Sequence, residues 1–120
     1  MRLLLCVLCG MVLLGAESRK PLLQQPPIQQ VERTNLYDQQ PAAAKAGRKL
    51  FERECSTCHG KEGQGTSRAP SLLTRQVKQA SPGALQWVLR NGEIRQGMPS
   101  FAHLPEEQRW QIVTYLKTLP

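Results

Sequence analysis

Apolar positions are distributed unevenly along the 120-residue chain. An unbroken apolar run, Leu3 to Leu14, follows Arg2 and precedes the small residues Gly15-Ala16. A comfortable membrane span needs roughly 20 apolar residues, so this run reads as residues 1–16 of a secretory signal cut near Ala16. An uncleaved anchor is the competing reading, and membrane association is expected only in that case. From Glu17 to Pro41 the pattern dissolves into Gln24-Gln25-Pro26-Pro27 and Gln39-Gln40-Pro41. No helical or strand period survives there, and residues 17–41 read as a linker or extended arm that Leu36 and Tyr37 could tack onto the domain.

Helical spacing begins near Ala42. Ala43, Ala46, Leu50 and Phe51 form one stripe up to Glu54, interrupted by Gly47, which costs about 1 kcal/mol against alanine and suits a close helix crossing. Cys55 to Thr66 is turn-like, punctuated by Gly60, Gly63 and Gly65. Ser81-Pro82 pairs a capping hydroxyl with proline at the first helical position, Leu85, Val88 and Leu89 supply the apolar face, and Asn91-Gly92 is a stop. A last helix opens around Pro105-Glu106-Glu107 and carries Ile112, Val113, Leu116 and Leu119, joined by Trp110 and Tyr115. The one strand-like stretch, Gln76 to Lys78, is too short to count. The fold expected is all-α, one domain over residues 42–120, with large irregular loops.

Composition changes this picture in one respect. A domain of this size with 5% aromatic residues has a thin core, and a buried prosthetic group would supply the missing apolar volume. Loss of the signal removes Cys6, Cys9, Met1 and Met11, leaving Cys55, Cys58, His59, His103 and Met98 as the soft ligands. Residues 42–120 hold twelve Lys/Arg and six Asp/Glu, a formal +6, whereas residues 17–41 balance three against three. Such charge favours encounter with redox partner proteins bearing acidic docking surfaces, or is simply a solvated face. It is scattered and lacks an interleaved aromatic-basic motif, so no nucleic-acid partner is expected.

Cys55-Ser56-Thr57-Cys58-His59 is a C-x-x-C-H sequence, the attachment signature for c-type haem. Two thiols one turn apart can each form a thioether to a vinyl group on one edge of the macrocycle, with the following histidine beneath the ring. Three other readings of C-x-x-C compete. Half a zinc site lacks a second Cys/His pair, a dithiol redox motif lacks a βαβ setting and leaves the histidine unexplained, and a plain disulfide is open to an exported protein. For the second axial position Met98 lies 39 residues after His59 in Gly97-Met98-Pro99-Ser100-Phe101, a loop bounded by glycine and proline. A lone methionine is ordinarily core filler, and His103 is the rival ligand.

With these residues in place the chain resembles the class I, monohaem, His/Met-ligated bacterial cytochromes c across residues 42–120. The resemblance implies the small cytochrome c fold of short helices around one covalent haem c, bound through Cys55 and Cys58 with His59 and Met98 on the iron. Gly47 with Leu50-Phe51 is similar to the family's N-terminal helix, and Ile112, Tyr115 and Leu116 to its partner on the C-terminal helix. Pro70, eleven residues after His59, is similar to the proline whose carbonyl accepts the histidine Nδ1–H bond. Trp87 and Trp110 are either core aromatics or neighbours of the haem edge, and Arg68, Arg75, Arg90 and Arg95 are candidate partners for its propionates. The arm before residue 42 has no counterpart in the resemblance.

His/Met ligation saturates the iron and suits outer-sphere electron transfer. No constellation of acid, base or nucleophile is visible, so the chain is not expected to be an enzyme. The function implied is that of an exported, periplasmic electron carrier, as a monomer. The alternatives are a cytochrome subunit of a periplasmic dehydrogenase or respiratory complex, and a haem enzyme or gas sensor.

Overall fold

The computed structural model describes residues 25–120; the expected signal, residues 1–16, lies outside the described residues. Helices occur at α1 (Ile28–Val31), α2 (Pro41–Glu54), α3 (Ser56–His59), α4 (Arg75–Gln79), α5 (Pro82–Asn91) and α6 (Glu106–Leu116), with a 3-10 turn at Ile94–Gln96. Among the described residues there is no strand, only an isolated bridge between Glu93 and Met98. The all-α expectation holds.

The core forms where α2 crosses α6. A Cβ at Gly47 would lie 1.9 Å from the Gln111 carbonyl oxygen, so the backbones meet with no room for a side chain. Beside this contact Phe51 and Tyr115 stack with ring centroids 5.3 Å apart at 56°. From Arg109 to Leu116 nearly every residue of α6 is buried, because α2 covers one side while α5 and the chain before Pro41 cover the others. A helix enclosed in this way shows a weaker apolar stripe than a surface helix.

Helix ends follow side-chain chemistry. Ser81 Oγ accepts from Ala84 N at 3.1 Å and opens α5 at Pro82. The strand-like Gln76–Lys78 is helical instead, because Thr74 Oγ1 accepts from Val77 N and Lys117 Nζ donates to the carbonyls of Lys78 (2.8 Å) and Ala80 at the far end.

From residue 25 onward the arm lies on the domain. Ser81 Oγ donates to the Val31 carbonyl at 2.8 Å, fixing α1 to the start of α5. Asn35, 5% exposed, donates to Thr114 Oγ1 at 3.0 Å, and the same hydroxyl donates to the Tyr37 carbonyl at 3.1 Å. Arg33 pairs with Glu106 and covers the Trp110 ring at 5.3 Å. Of the two apolar residues read as tacks, Tyr37 packs against the core while Leu36 is 80% exposed. Polar anchors hold this segment, which is why an apolar period does not reveal it.

Candidate haem-binding site

The C-x-x-C-H segment begins where α2 ends. Cys55 closes α2 and caps α3, whose single turn is held by His59 N donating to the Cys55 carbonyl at 2.9 Å. Cys55 faces the core and Cys58 faces solvent, and both are free thiols. Burial, aided by Glu54 and Cys58, pushes the Cys55 thiol up to about 12. Thiol exchange requires the opposite shift, so the pair is poorly suited to dithiol redox chemistry. Among the described residues no three His, Cys, Asp or Glu side chains gather around a common point, and the zinc reading gains no partner ligands.

His59 Nδ1 lies 2.9 Å from the Pro70 carbonyl oxygen. A carbonyl can only accept, so Nδ1 is the donor in this bond and Nε2 is the ring nitrogen left for a metal. The surrounding loop braces this arrangement. Gly65 N donates to the His59 carbonyl at 2.7 Å, Thr66 Oγ1 to the Cys58 carbonyl at 2.5 Å and Leu72 N to the Gly63 carbonyl at 2.8 Å. Gly65 has φ +86°, and a Cβ there would meet Ser71 N at 2.6 Å and the Pro70 carbonyl carbon at 3.0 Å. The loop therefore closes tightly on the residue that orients His59.

Met98 sits on the loop between α5 and α6. It exchanges both backbone hydrogen bonds with Glu93, at 3.0 and 3.1 Å, and its half-buried side chain packs against the core cluster. Ser100 Oγ donates to the Arg90 carbonyl at 2.5 Å and Phe101 N to the Leu89 carbonyl at 2.8 Å. His103 is turned to the surface beside Phe101, with Nε2 3.8 Å from Glu54 Oε2. Trp87 is half-buried, Trp110 is buried with its Nε1 donating to Glu106 Oε1 at 3.2 Å, and Arg68, Arg75, Arg90 and Arg95 are exposed.

Two free thiols a turn apart and a histidine whose Nδ1 is engaged by a carbonyl fit covalent haem, and Met98 offers a half-buried thioether on a separate braced loop. Leu73 and Ile94 are exposed large apolar residues on the histidine and methionine loops. Sequence reading passed over Thr66, Gln86 and Arg109. Arg109 carried a usable signature: it falls three and four residues before Ile112 and Val113, on the buried stripe of α6, where a charge demands a reason.

The helical fold and this donor set define a c-type cytochrome. Residues 42–116 match the family described as cytochrome c oxidase, cbb3-type, subunit III, and the chain belongs to this family of monohaem cytochrome c domains, with one covalently attached haem c. Its structure is similar to cytochrome cL from Methylophaga aminisulfidivorans MPT, at 26% identity and TM-score 0.60 over 69% of this chain and 59% of that one. It is also similar to the c-type cytochrome XoxG from Methylobacterium extorquens AM1, at 26% identity and TM-score 0.55 over 62% of this chain and 48% of the other. Cytochrome cL from Hyphomicrobium denitrificans, at 19% identity and TM-score 0.60 over 77% and 57%, shares the fold. The chain thus spans about half to three-fifths of the length of these structures. No curated protein matches the chain.

Proposed function

We propose that this chain is an exported, periplasmic carrier of single electrons. On this reading residues 1–16 direct export and residues 42–120 are the cytochrome domain. Cys55 and Cys58 hold the haem, His59 and Met98 are its axial ligands, and Pro70 orients His59. The observation that carries the reading is the His59 Nδ1–Pro70 bond at 2.9 Å, because it orients the ring and leaves Nε2 as the available ligand atom directly after the C-x-x-C pair. Met98 is favoured over His103 for the second position by its packing against the core, whereas the His103 side chain is 61% exposed. The bound haem supplies a one-electron Fe(II)/Fe(III) couple with both axial positions filled, which favours outer-sphere transfer over oxygen binding. Among the described residues no helix is long and apolar enough to cross a membrane.

The deciding experiment is a potentiometric titration of exported, pigmented protein, with the spectra of the Met98→Ala variant alongside. A one-electron wave, a weak ferric sulfur-to-iron charge-transfer band, and loss of that band with a lower potential in Met98→Ala are expected. Rapid CO binding by reduced wild-type protein would show a haem enzyme or gas sensor instead. A second reading, a cytochrome subunit of a respiratory complex or periplasmic dehydrogenase, is favoured by the family, which takes its description from an oxidase subunit. Co-purification of a large partner after gentle lysis supports that reading, and a monomer by light scattering counts against it.

A further inference from the structure

The chain from Gly92 to Leu104 carries Met98 out from α5 and back to α6. Met98 pairs with Glu93 through the backbone, and just beyond it Ser100 and Phe101 bond to the Arg90 and Leu89 carbonyls. The last residues of this stretch meet a guanidinium. Arg109, 6% exposed, donates from Nη1 to the carbonyls of Leu104 and Ala102 (3.5 Å), and from Nε to Gln86 Oε1 at 3.1 Å. Gln86, 2% exposed, is itself fixed, donating from Nε2 to the Glu106 carbonyl at 3.4 Å.

These bonds go to neutral acceptors. Burying a cation against carbonyls and an amide is expensive compared with an apolar residue of similar size, so packing alone gives no reason for arginine here. The guanidinium offers several donors in one rigid plane, and charge-assisted bonds are the strong ones. Through them α5, α6 and the returning limb of the Met98 loop become one unit. Exchange of a metal-bound methionine is eased when its loop swings away, and this limb swings fully only by parting from Arg109 as well as from Arg90 and Leu89.

We propose that Arg109 is the positioning residue that keeps the Met98 loop closed, setting how readily another ligand replaces the methionine on the iron. The inference rests on Met98 being an axial ligand, and acts through the closed–open equilibrium of the loop. An outside ligand binds only the open form, so its apparent affinity reports the open fraction directly.

The test is titration of the ferric protein with imidazole, followed by the sulfur-to-iron band, in wild type, Arg109→Met and Asn35→Ala. Asn35→Ala removes a buried bond of the arm to α6 and lowers global stability without touching the loop. Arg109→Met is expected to bind imidazole about tenfold more tightly than wild type, the effect of losing a charge-assisted bond from the closed form alone, while Asn35→Ala stays at the wild-type value. Unchanged affinity in Arg109→Met, or equal tightening in both variants, overturns the inference and leaves the Met98 ligand reading standing. Absence of the band in wild type overturns both together. Should Arg109→Met fail to accumulate with haem, Gln86→Met removes the acceptor on Nε and keeps the cation, and it must tighten imidazole binding in the same direction or the inference fails.

Discussion

The two loops that carry the candidate iron ligands are fastened in opposite ways. On the histidine side the hydrogen-bonded braces are local: Gly65 to His59, Thr66 to Cys58, Leu72 to Gly63 and Pro70 to His59 lie within one short stretch, and an exposed ion pair from Glu62 to Arg48 of α2 at 3.8 Å adds to them. On the methionine side one local pairing, Glu93 with Met98, is joined by braces that run outward, to Leu89 and Arg90 on α5 and Arg109 on α6. A locally closed loop keeps its shape when helices shift against one another, and here it is also the segment that thioethers would tie to the macrocycle. A loop fastened to two helices is only as fixed as their packing. On the proposed ligand assignment the histidine side is the permanent attachment, and the methionine side is where exchange at the iron is possible.

The sharpest way to break this comparison uses two of the positive-φ glycines, one beside each loop. Gly92, at φ +71°, has room for no Cβ: it would sit 2.6 Å from the Pro99 carbonyl carbon and 2.7 Å from the Met98 carbonyl oxygen. Gly92→Ala must push the Met98 backbone aside and adds about 1–2 kcal/mol of left-handed strain. Loss of the ferric sulfur-to-iron band, with covalent haem retained, is the expected outcome. An unaltered band in Gly92→Ala would show that the methionine loop is not the yielding side.

Gly65→Ala is the matching change on the other loop, and its expected effect is smaller at the iron. Its Cβ meets Ser71 N at 2.6 Å at φ +86°, so the steric insult is similar. Strain of about 1–2 kcal/mol should appear in the denaturation midpoint. The thioethers and local braces should hold His59 in place, leaving the haem spectrum that of wild type. A high-spin spectrum in Gly65→Ala would mean that the histidine loop is no firmer than its counterpart. Thr66→Val should have a still smaller effect: loss of the hydroxyl bond to the Cys58 carbonyl is worth about 1 kcal/mol of stability, read by denaturant titration, without displacing a ligand.

The asymmetry between the loops also explains what could be read from the chain alone. Local fastening writes itself into sequence: C-x-x-C-H, the glycines after it and the caps at Ser81-Pro82 and Asn91-Gly92 are all short-range patterns. The longer helices α2, α5 and α6 were legible for the same reason. The one-turn helices α1 and α3 fell in stretches read as arm and turn, and α4 in one read as strand-like. Its Gln76–Lys78 turn depends on Thr74 at one end and on Lys117, far along the chain, at the other. The braces of the methionine loop were hidden because Gln86 and Arg109 are polar residues inside an apolar stripe, legible only as exceptions. The chain before Pro41 was hidden more deeply. Asn35 binds Thr114 by one hydrogen bond between residues 79 positions apart, and no periodicity encodes such a contact.

That same arm provides the weakest of these tests, one that neither loop should feel. Hydrogen bonding by Arg33, outweighing the opposing effect of burial and helped by Trp110, holds the Glu106 carboxyl below its ordinary value of 4.5. A depressed carboxyl stabilises the fold above that value, and the contribution disappears as pH falls through the lowered one. Glu106 is half exposed, so solvent screening limits the pair to at most about 1 kcal/mol. Glu106→Gln keeps an acceptor for the Trp110 Nε1 proton and removes only the charge. Denaturation midpoints of wild type and Glu106→Gln should therefore differ slightly near neutral pH and converge as the pH is lowered past 4.5, with the sulfur-to-iron band alike in both. A gap that persists in acid would assign the contact to packing of Arg33 over the indole. A band that changes with Glu106 would show the methionine loop to be tied to the arm through α6, and so less independent of it than its fastening to α5 suggests.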